Sequence, residues 1–111
     1  MSHESVIKEK QISQKIKLVI FVPVSHTSII LKTLRKAGAG NYSDKYDHCM
    51  FISEGIGYWR DKENGVSEFQ KENRIETICE LGKLNDVINA VKKVHPYKEM
   101  GYDVFNLVSN L

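Results

Sequence analysis

The stretch His95-Pro96-Tyr97-Lys98-Glu99-Met100-Gly101-Tyr102-Asp103-Val104-Phe105 closes an apolar helical pattern with a proline and reopens the chain as a strand. Proline has no backbone N–H and drives the residue before it out of the helical region, so a helix ends at or before His95. Upstream, Leu84, Val87, Ile88, Val91 and Val94 recur at helical spacing and define one apolar stripe. Downstream, Tyr102 to Leu107 reads as a strand. Arg74-Ile75-Glu76-Thr77-Ile78-Cys79 alternates as a half-buried strand ahead of the helix. The second half of the chain is therefore one strand–helix–strand unit.

The first half has the same order. Ile16-Lys17-Leu18-Val19-Ile20-Phe21-Val22 is nearly all apolar, as in a strand covered on both sides, and Pro23 ends its ladder. Ser25 is the expected N-cap of a helix carrying Ile30, Leu31, Leu34 and Ala37 on one side, with Lys32, Arg35 and Lys36 opposite. Gly38 supplies a left-handed stop, and Gly38-Ala39-Gly40-Asn41 reads as a helix stop and tight turn. An anion-binding glycine loop would instead precede a helix and use its positive end. A strand is expected from Tyr46 to Arg60, bent or bulged at Gly55 and Gly57. The Asn64-Gly65 turn follows, then a polar loop through Asn73. Shifting the sequence by 57 positions pairs Leu18 with Ile75, Val22 with Cys79, Ile30 with Val87, Leu34 with Val91 and Ala37 with Val94.

Two interleaved strand–helix–strand units predict an α+β fold, a ferredoxin-like βαββαβ antiparallel sheet with two helices on one face. The other face then needs a partner or solvent-tolerant residues. Residues 1–14 are polar and read as a flexible N-terminal arm, with a single ferredoxin-like domain over 15–111. At 111 residues the chain allows one domain, whose small core makes oligomerisation a natural supplement. A net charge of +2 with no basic run interleaved with aromatics gives no sign of nucleic-acid binding. There is no signal-peptide pattern and no run approaching the ~20 apolar residues of a membrane span, so the expectation is a cytoplasmic protein. Cys49 and Cys79 lie in apolar, strand-like surroundings and read as reduced core thiols.

Several residues carry chemistry. His48, His95 and Glu99 would make a two-histidine, one-carboxylate site for a divalent metal ion if the fold brought them together, although no metal-ligand spacing links them in sequence. Arg74 and Glu76 share one side of a strand and, with Asp103 and Lys98, suggest a charged cluster on one sheet face. Such a cluster is either a solvated set of ion pairs or a contact for a ligand's carboxylate or phosphate. Tyr97 and Glu99 extend this ligand-binding set of Arg74, Glu76 and Asp103 into the closing junction. Trp59, between Tyr58 and Arg60, is either an interface anchor or a side chain folded back over the core. No serine or cysteine triad is legible, and the fold pattern, the uncovered sheet face and the polar closing junction favour a small non-catalytic module that self-associates. The alternatives are a metal-binding protein or metal-dependent hydrolase using His48, His95 and Glu99, and a protein-interaction module using Trp59 and the N-terminal arm.

Residues 16–107 resemble a known family, the small domain inserted into dinuclear-metal hydrolase-like proteins known as GTP cyclohydrolase I type 2 homologs. That domain is described as PII-like or CutA-like. The resemblance is carried by Val22-Pro23, Ala37-Gly38-Ala39-Gly40, Tyr46, His48-Cys49, Gly55, Gly57, Arg74-Ile75-Glu76, His95-Pro96-Tyr97 with Glu99, and Tyr102-Asp103-Val104. Lys98 stands where the family has an acidic residue and Met100 where it has proline. The resemblance implies a ferredoxin-like fold and a small regulatory or binding domain that forms a homo-oligomer, most readily a trimer; the uncovered sheet face and the polar closing junction add the expectation of a small-molecule ligand at subunit junctions. In the larger proteins the metal ligands lie in flanking halves, so the resemblance does not extend their hydrolase activity to this chain.

Overall fold

A computed structural model of the chain describes residues 14–108. The expected arm, apart from Gln14, lies outside the described residues. Strand β1 runs Lys15–Pro23, helix α1 Thr27–Ala37, β2 Met50–Arg60, β3 Ser67–Glu80, α2 Leu84–Val94 and β4 Tyr102–Asn106. One-turn 3-10 segments, Val24–His26 and Leu81–Lys83, lead into the two helices. All pairings are antiparallel and the sheet order is β2-β3-β1-β4. This is the expected ferredoxin-like arrangement.

The internal repeat is closer in space than in sequence. The 57-residue shift carries 24–26 onto 81–83 and 27–37 onto 84–94 without remainder. It also preserves the β1–β3 register: Leu18 faces Thr77, and the shifted pair, Ile75 and Ile20, face each other too. The equivalent residues Val19 and Glu76 are direct cross-strand partners, so the pseudo-twofold axis passes between them.

Strand alternation divides β1 between two faces. Ile16, Leu18, Ile20 and Val22 turn toward the helices and pack with Ile75 and Cys79 of β3, Ile30 and Leu34 of α1, and Val87, Ile88 and Val91 of α2. Each such fully buried aliphatic side chain contributes roughly 1.5–3 kcal/mol relative to exposure. Cys79 is a core thiol as expected, and burial pushes its pKa up. Cys49 is not in a strand: it is half-buried in the loop just before β2. The opposite face carries Phe51 of β2, Arg74 and Glu76 of β3, Lys17 of β1, and Asp103 and Phe105 of β4. Among the described residues no element covers that face, and Phe51 and Phe105 are exposed on it.

Three local expectations change. Ser25 does not cap α1. The 3-10 turn places His26 at the N-cap without a side-chain cap bond, and Ser25 Oγ bonds His26 Nδ1 instead. The Gly55–Gly57 stretch is not bulged, because β2 pairs residue for residue with β3 from Met50 to Arg60. The polar loop expected through Asn73 is strand: Ser67–Asn73 faces Arg60–Glu54 along the same ladder. Beyond Pro23, opposite Glu72, β1 ends and β2 and β3 continue as a two-stranded arm. Its tip is held by Asp61 N–H donating to the Val66 carbonyl (3.0 Å), by Asp61 Oδ1 accepting from Glu63 and Asn64 N–H (2.8 and 3.2 Å), and by Gly65 at φ 71°. No helix among the described residues is long and apolar enough to cross a membrane.

The glycine turn after α1 is structural. Gly38 adopts φ 98°, and the Ala39 N–H reaches back to the Leu34 carbonyl at 3.0 Å, which stops the helix. Gly40, at φ 91°, donates to the Ile78 carbonyl (2.7 Å) and accepts from Cys49 N–H (2.9 Å), tying α1's exit to β3 and the approach to β2. A Cβ there would lie 2.8 Å from the Cys49 nitrogen. Gly40→Ala therefore combines a left-handed backbone with a backbone clash. It should destabilise the domain by at least ~2 kcal/mol, read as a lower denaturation midpoint at unchanged m-value.

Candidate functional site

The closing junction is built from three elements. His95 caps α2, its N–H donating to the Val91 carbonyl at 3.0 Å, and is buried. Its Nε2 lies 2.7 Å from the Phe21 carbonyl, which can only accept, so Nε2 carries the proton. Its Nδ1 accepts from the Tyr97 N–H at 3.2 Å. Both ring nitrogens are thus committed to backbone groups, and the imidazole staples the end of α2 to the end of β1. Phe21 N–H donating to the Gly101 carbonyl (3.0 Å) closes the same corner.

From this corner Tyr97 reaches the base of the arm. Its hydroxyl donates to Glu72 Oε2 at 2.9 Å, its ring stands edge-on to His95 at 5.2 Å, and Trp59 leans on it at 5.8 Å. Trp59 in turn donates Nε1–H to Glu68 Oε2 at 3.1 Å. Trp59 is therefore folded back onto the closing turn and onto its own hairpin, not over the hydrophobic core. Gly57 makes this possible: a Cβ there would overlap the Glu72 carboxylate. Glu72 is a buried carboxylate, and Asn73 beside it keeps one amide oxygen without a partner. The pKa of Tyr97 is pushed up to about 12, first by burial, then by its hydrogen bond to Glu72 and by that carboxylate's charge.

The candidate metal ligands are not brought together. His48 and Glu99 are exposed, one in the loop before β2 and one after α2, while His95 has no free nitrogen lone pair. Among the described residues no three His, Cys, Asp or Glu side chains form a group able to hold a metal ion. Within one chain His48, His95 and Glu99 thus form no ligand set. The reason is geometric: His48 approaches β2 at the end of the sheet where β1 begins, and His95 sits where β1 ends.

The candidate ligand residues divide among separate hollows. Arg74 contacts Glu76 at 3.4 Å and lies over the Phe21 ring at 5.8 Å, while Lys17 stands 4.0 Å from Glu76. Arg74 lines a cavity of about 230 Å³ with Glu72, Ser53 and Gly57, whereas Glu76 borders a larger one of about 630 Å³ at the other end of the open face. Tyr97 and Glu99 share a third, of about 320 Å³, with Lys92, Lys98 and Tyr102. Asp103 lies on the open face but is separated from Glu76 by Val19, and Lys98 stands with Glu99 rather than in that row. The expected four-residue charged cluster is therefore one ion-paired group, Lys17–Glu76–Arg74. Sequence reasoning missed Glu72, hidden inside the supposed polar loop; the signal was Gly57, whose missing side chain was read as a bend.

No family model matches the chain. It is 40% identical over 101 residues to a GTP cyclohydrolase 1 type 2 homolog of Halalkalibacterium halodurans, covering 84% of this chain and 27% of the relative. Among solved structures, a Bacillus cereus protein related to NIF3 matches with TM-score 0.78 and 44% identity over 84% of this chain and 25% of that one. CutA from Xylella fastidiosa matches with TM-score 0.71 and 16% identity, covering 89% of this chain and 88% of its own. A Bacillus subtilis GlnK–ATP complex matches with TM-score 0.62 and 16% identity, covering 84% and 81%. The first two comparisons show common descent with one segment of longer proteins, and the last two show the fold. The chain spans about a quarter of the length of the curated relatives it matches.

The titration of Tyr97 reports on the junction. Below the ordinary tyrosine pKa of ~10 the group is neutral in both folded and unfolded chains, so its contribution is complete there. Above that value the unfolded chain loses the proton first, and the stabilisation disappears as pH rises through about 12. Ultraviolet titration should show a tyrosinate component with its midpoint raised to about pH 12, absent in Tyr97→Phe and shifted to lower pH in Glu72→Gln.

Proposed function

We propose that this chain, a homologue of one segment of the GTP cyclohydrolase 1 type 2 homologs with the fold of CutA and GlnK, is a self-associating cytoplasmic module with a regulatory or ligand-binding role. The observation that carries this reading is the sheet face with no cover among the described residues, where Phe51 and Phe105 stand exposed. Helices cover one side of the sheet only, and a domain of this size gains from burying the second against copies of itself. A trimer is the assembly the fold resemblance favours. The ligand would be a small molecule bearing a carboxylate or phosphate. Two places suit it: Arg74 beside the Glu72–Tyr97 pair, and the adjoining hollow of Tyr97, Lys98 and Glu99. The relatives' name describes chains about four times as long, and no catalytic step is carried over to this one.

Size-exclusion chromatography with light scattering at micromolar concentration should give three chain masses. Phe51→Glu, placing a charge opposite Glu76 on the open face, should shift the assembly toward smaller species. A wild-type monomer throughout the micromolar range would overturn the proposal. A thermal-shift screen with nucleotides and small carboxylic acids tests the ligand, since a ligand that binds the folded state raises the melting temperature by mass action. The rise should be lost in Arg74→Ala.

A further inference from the structure

The cavity of about 230 Å³ at the root of the arm is lined by a carboxylate that its own chain leaves half satisfied. Glu72 is only 8% exposed, yet its one hydrogen bond is that of the Tyr97 hydroxyl to Oε2, at 2.9 Å. No cationic side chain among the described residues pairs with it. A carboxylate withdrawn that far from water is costly unless a counter-charge and further donors replace its hydration. The second oxygen of Glu72 has no donor among the described residues. A buried, unmatched negative charge on a cavity wall points to a cation that arrives from outside.

The cavity exists because β2 puts little side chain into it. Gly55 is the cross-strand partner of Glu72 and shares its face of the sheet, and a Cβ on Gly55 would meet nothing within 4 Å. Gly57, next on that face, plays a different part: the Glu72 carboxylate lies where its Cβ would be. One glycine thus seats the carboxylate and the other leaves open space beside it. Arg74 flanks the same space, two residues along β3 and opposite Ser53. Its guanidinium lies over the Phe21 ring at 5.8 Å and donates to Glu76 at 3.4 Å, a contact that uses one of its five donors.

We infer that the ligand of this cavity is a free α-amino acid, with its ammonium on Glu72 and its carboxylate on Arg74. This rests on the reading of Arg74 as a site for a ligand's acid group, and deepens it. An acid alone would satisfy Arg74, leave Glu72 unmatched and bring a second negative charge close to it. Residues two apart on a strand are rooted ~7 Å from each other. An ammonium and a carboxylate borne on one carbon, each adding a charge-assisted hydrogen bond of ~2.8 Å, bridge that span. The cavity is smaller than the ~300–1,000 Å³ typical of drug-sized ligands, which suits an amino acid better than a nucleotide.

Thermal shift and isothermal titration calorimetry on the full chain, with each proteinogenic amino acid in turn at millimolar concentration, test this. At least one should bind. Its N-acetyl derivative and its α-amide should each bind about ten-fold or more weakly, because each lacks one of the two charges. Glu72→Gln keeps an acceptor for Tyr97 and should weaken the amino acid by a similar factor while leaving its N-acetyl derivative unaffected. Gly55→Val puts a side chain into the open space on an ordinary strand backbone, so it should abolish binding without lowering the melting temperature. An acid that binds through Arg74 with no gain from an amino group and no response to Glu72→Gln would overturn the amino-acid assignment and leave the acid site standing. No binding by any amino acid or any acid would remove both.

Discussion

Everything in this molecule follows from burying one face of one strand. Ile16, Leu18, Ile20 and Val22 of β1 form the floor on which both helices rest, and β1 is also the strand against which β3 and β4 pair. The side chains between them point the other way, to a face with no helix to meet. A small domain depends on such area, because its net stability is a few kcal/mol left from much larger opposing terms. The open face and its apolar residues are thus a direct consequence of a βαββαβ chain supplying two helices for a two-sided sheet.

The arm extends this constraint to the edge of the fold. Once Pro23 ends β1, the β2–β3 ladder continues without the strand that had backed it, and only local devices hold it. The buried Glu72 carboxylate sits against glycine 57 and under the Tyr97 hydroxyl, so the arm's root is clamped to the turn after α2. That turn is fixed in its place by His95, whose two nitrogens bridge the Phe21 carbonyl and the Tyr97 N–H. The histidine's work is architectural, and it links the end of a helix to the posture of a hairpin on the far side of the sheet.

The parts legible in the sequence were those written in periodicity. Two apolar helical stripes, two proline stops and a 57-residue self-similarity were enough for the element order and the topology, because each signal reflects one-sided burial. Other features depended on what the sequence did not display. Ser67–Asn73 looks like loop because six of its seven residues are polar and Phe69 alone is apolar, yet it is strand, since its hydrogen-bonding partner is β2 and not a core. Ser25 had the chemistry of a cap but lies inside a 3-10 turn. His48 and His95 had the chemistry of ligands but stand at opposite ends of the sheet. The Glu72–Tyr97 contact, 25 residues apart, needed the arm's register before it could be seen.

The central claim is that the arm and the open face are stabilised by a second copy of the chain. Amide hydrogen exchange followed across a dilution series tests it most directly, because it reads each strand separately. The account predicts that Ile56–Arg60 and Ser67–Lys71 lose protection in step with dissociation, while the β1–β3 amides flanked by the core stay protected. Equal protection of the arm in the dissociated chain would contradict it.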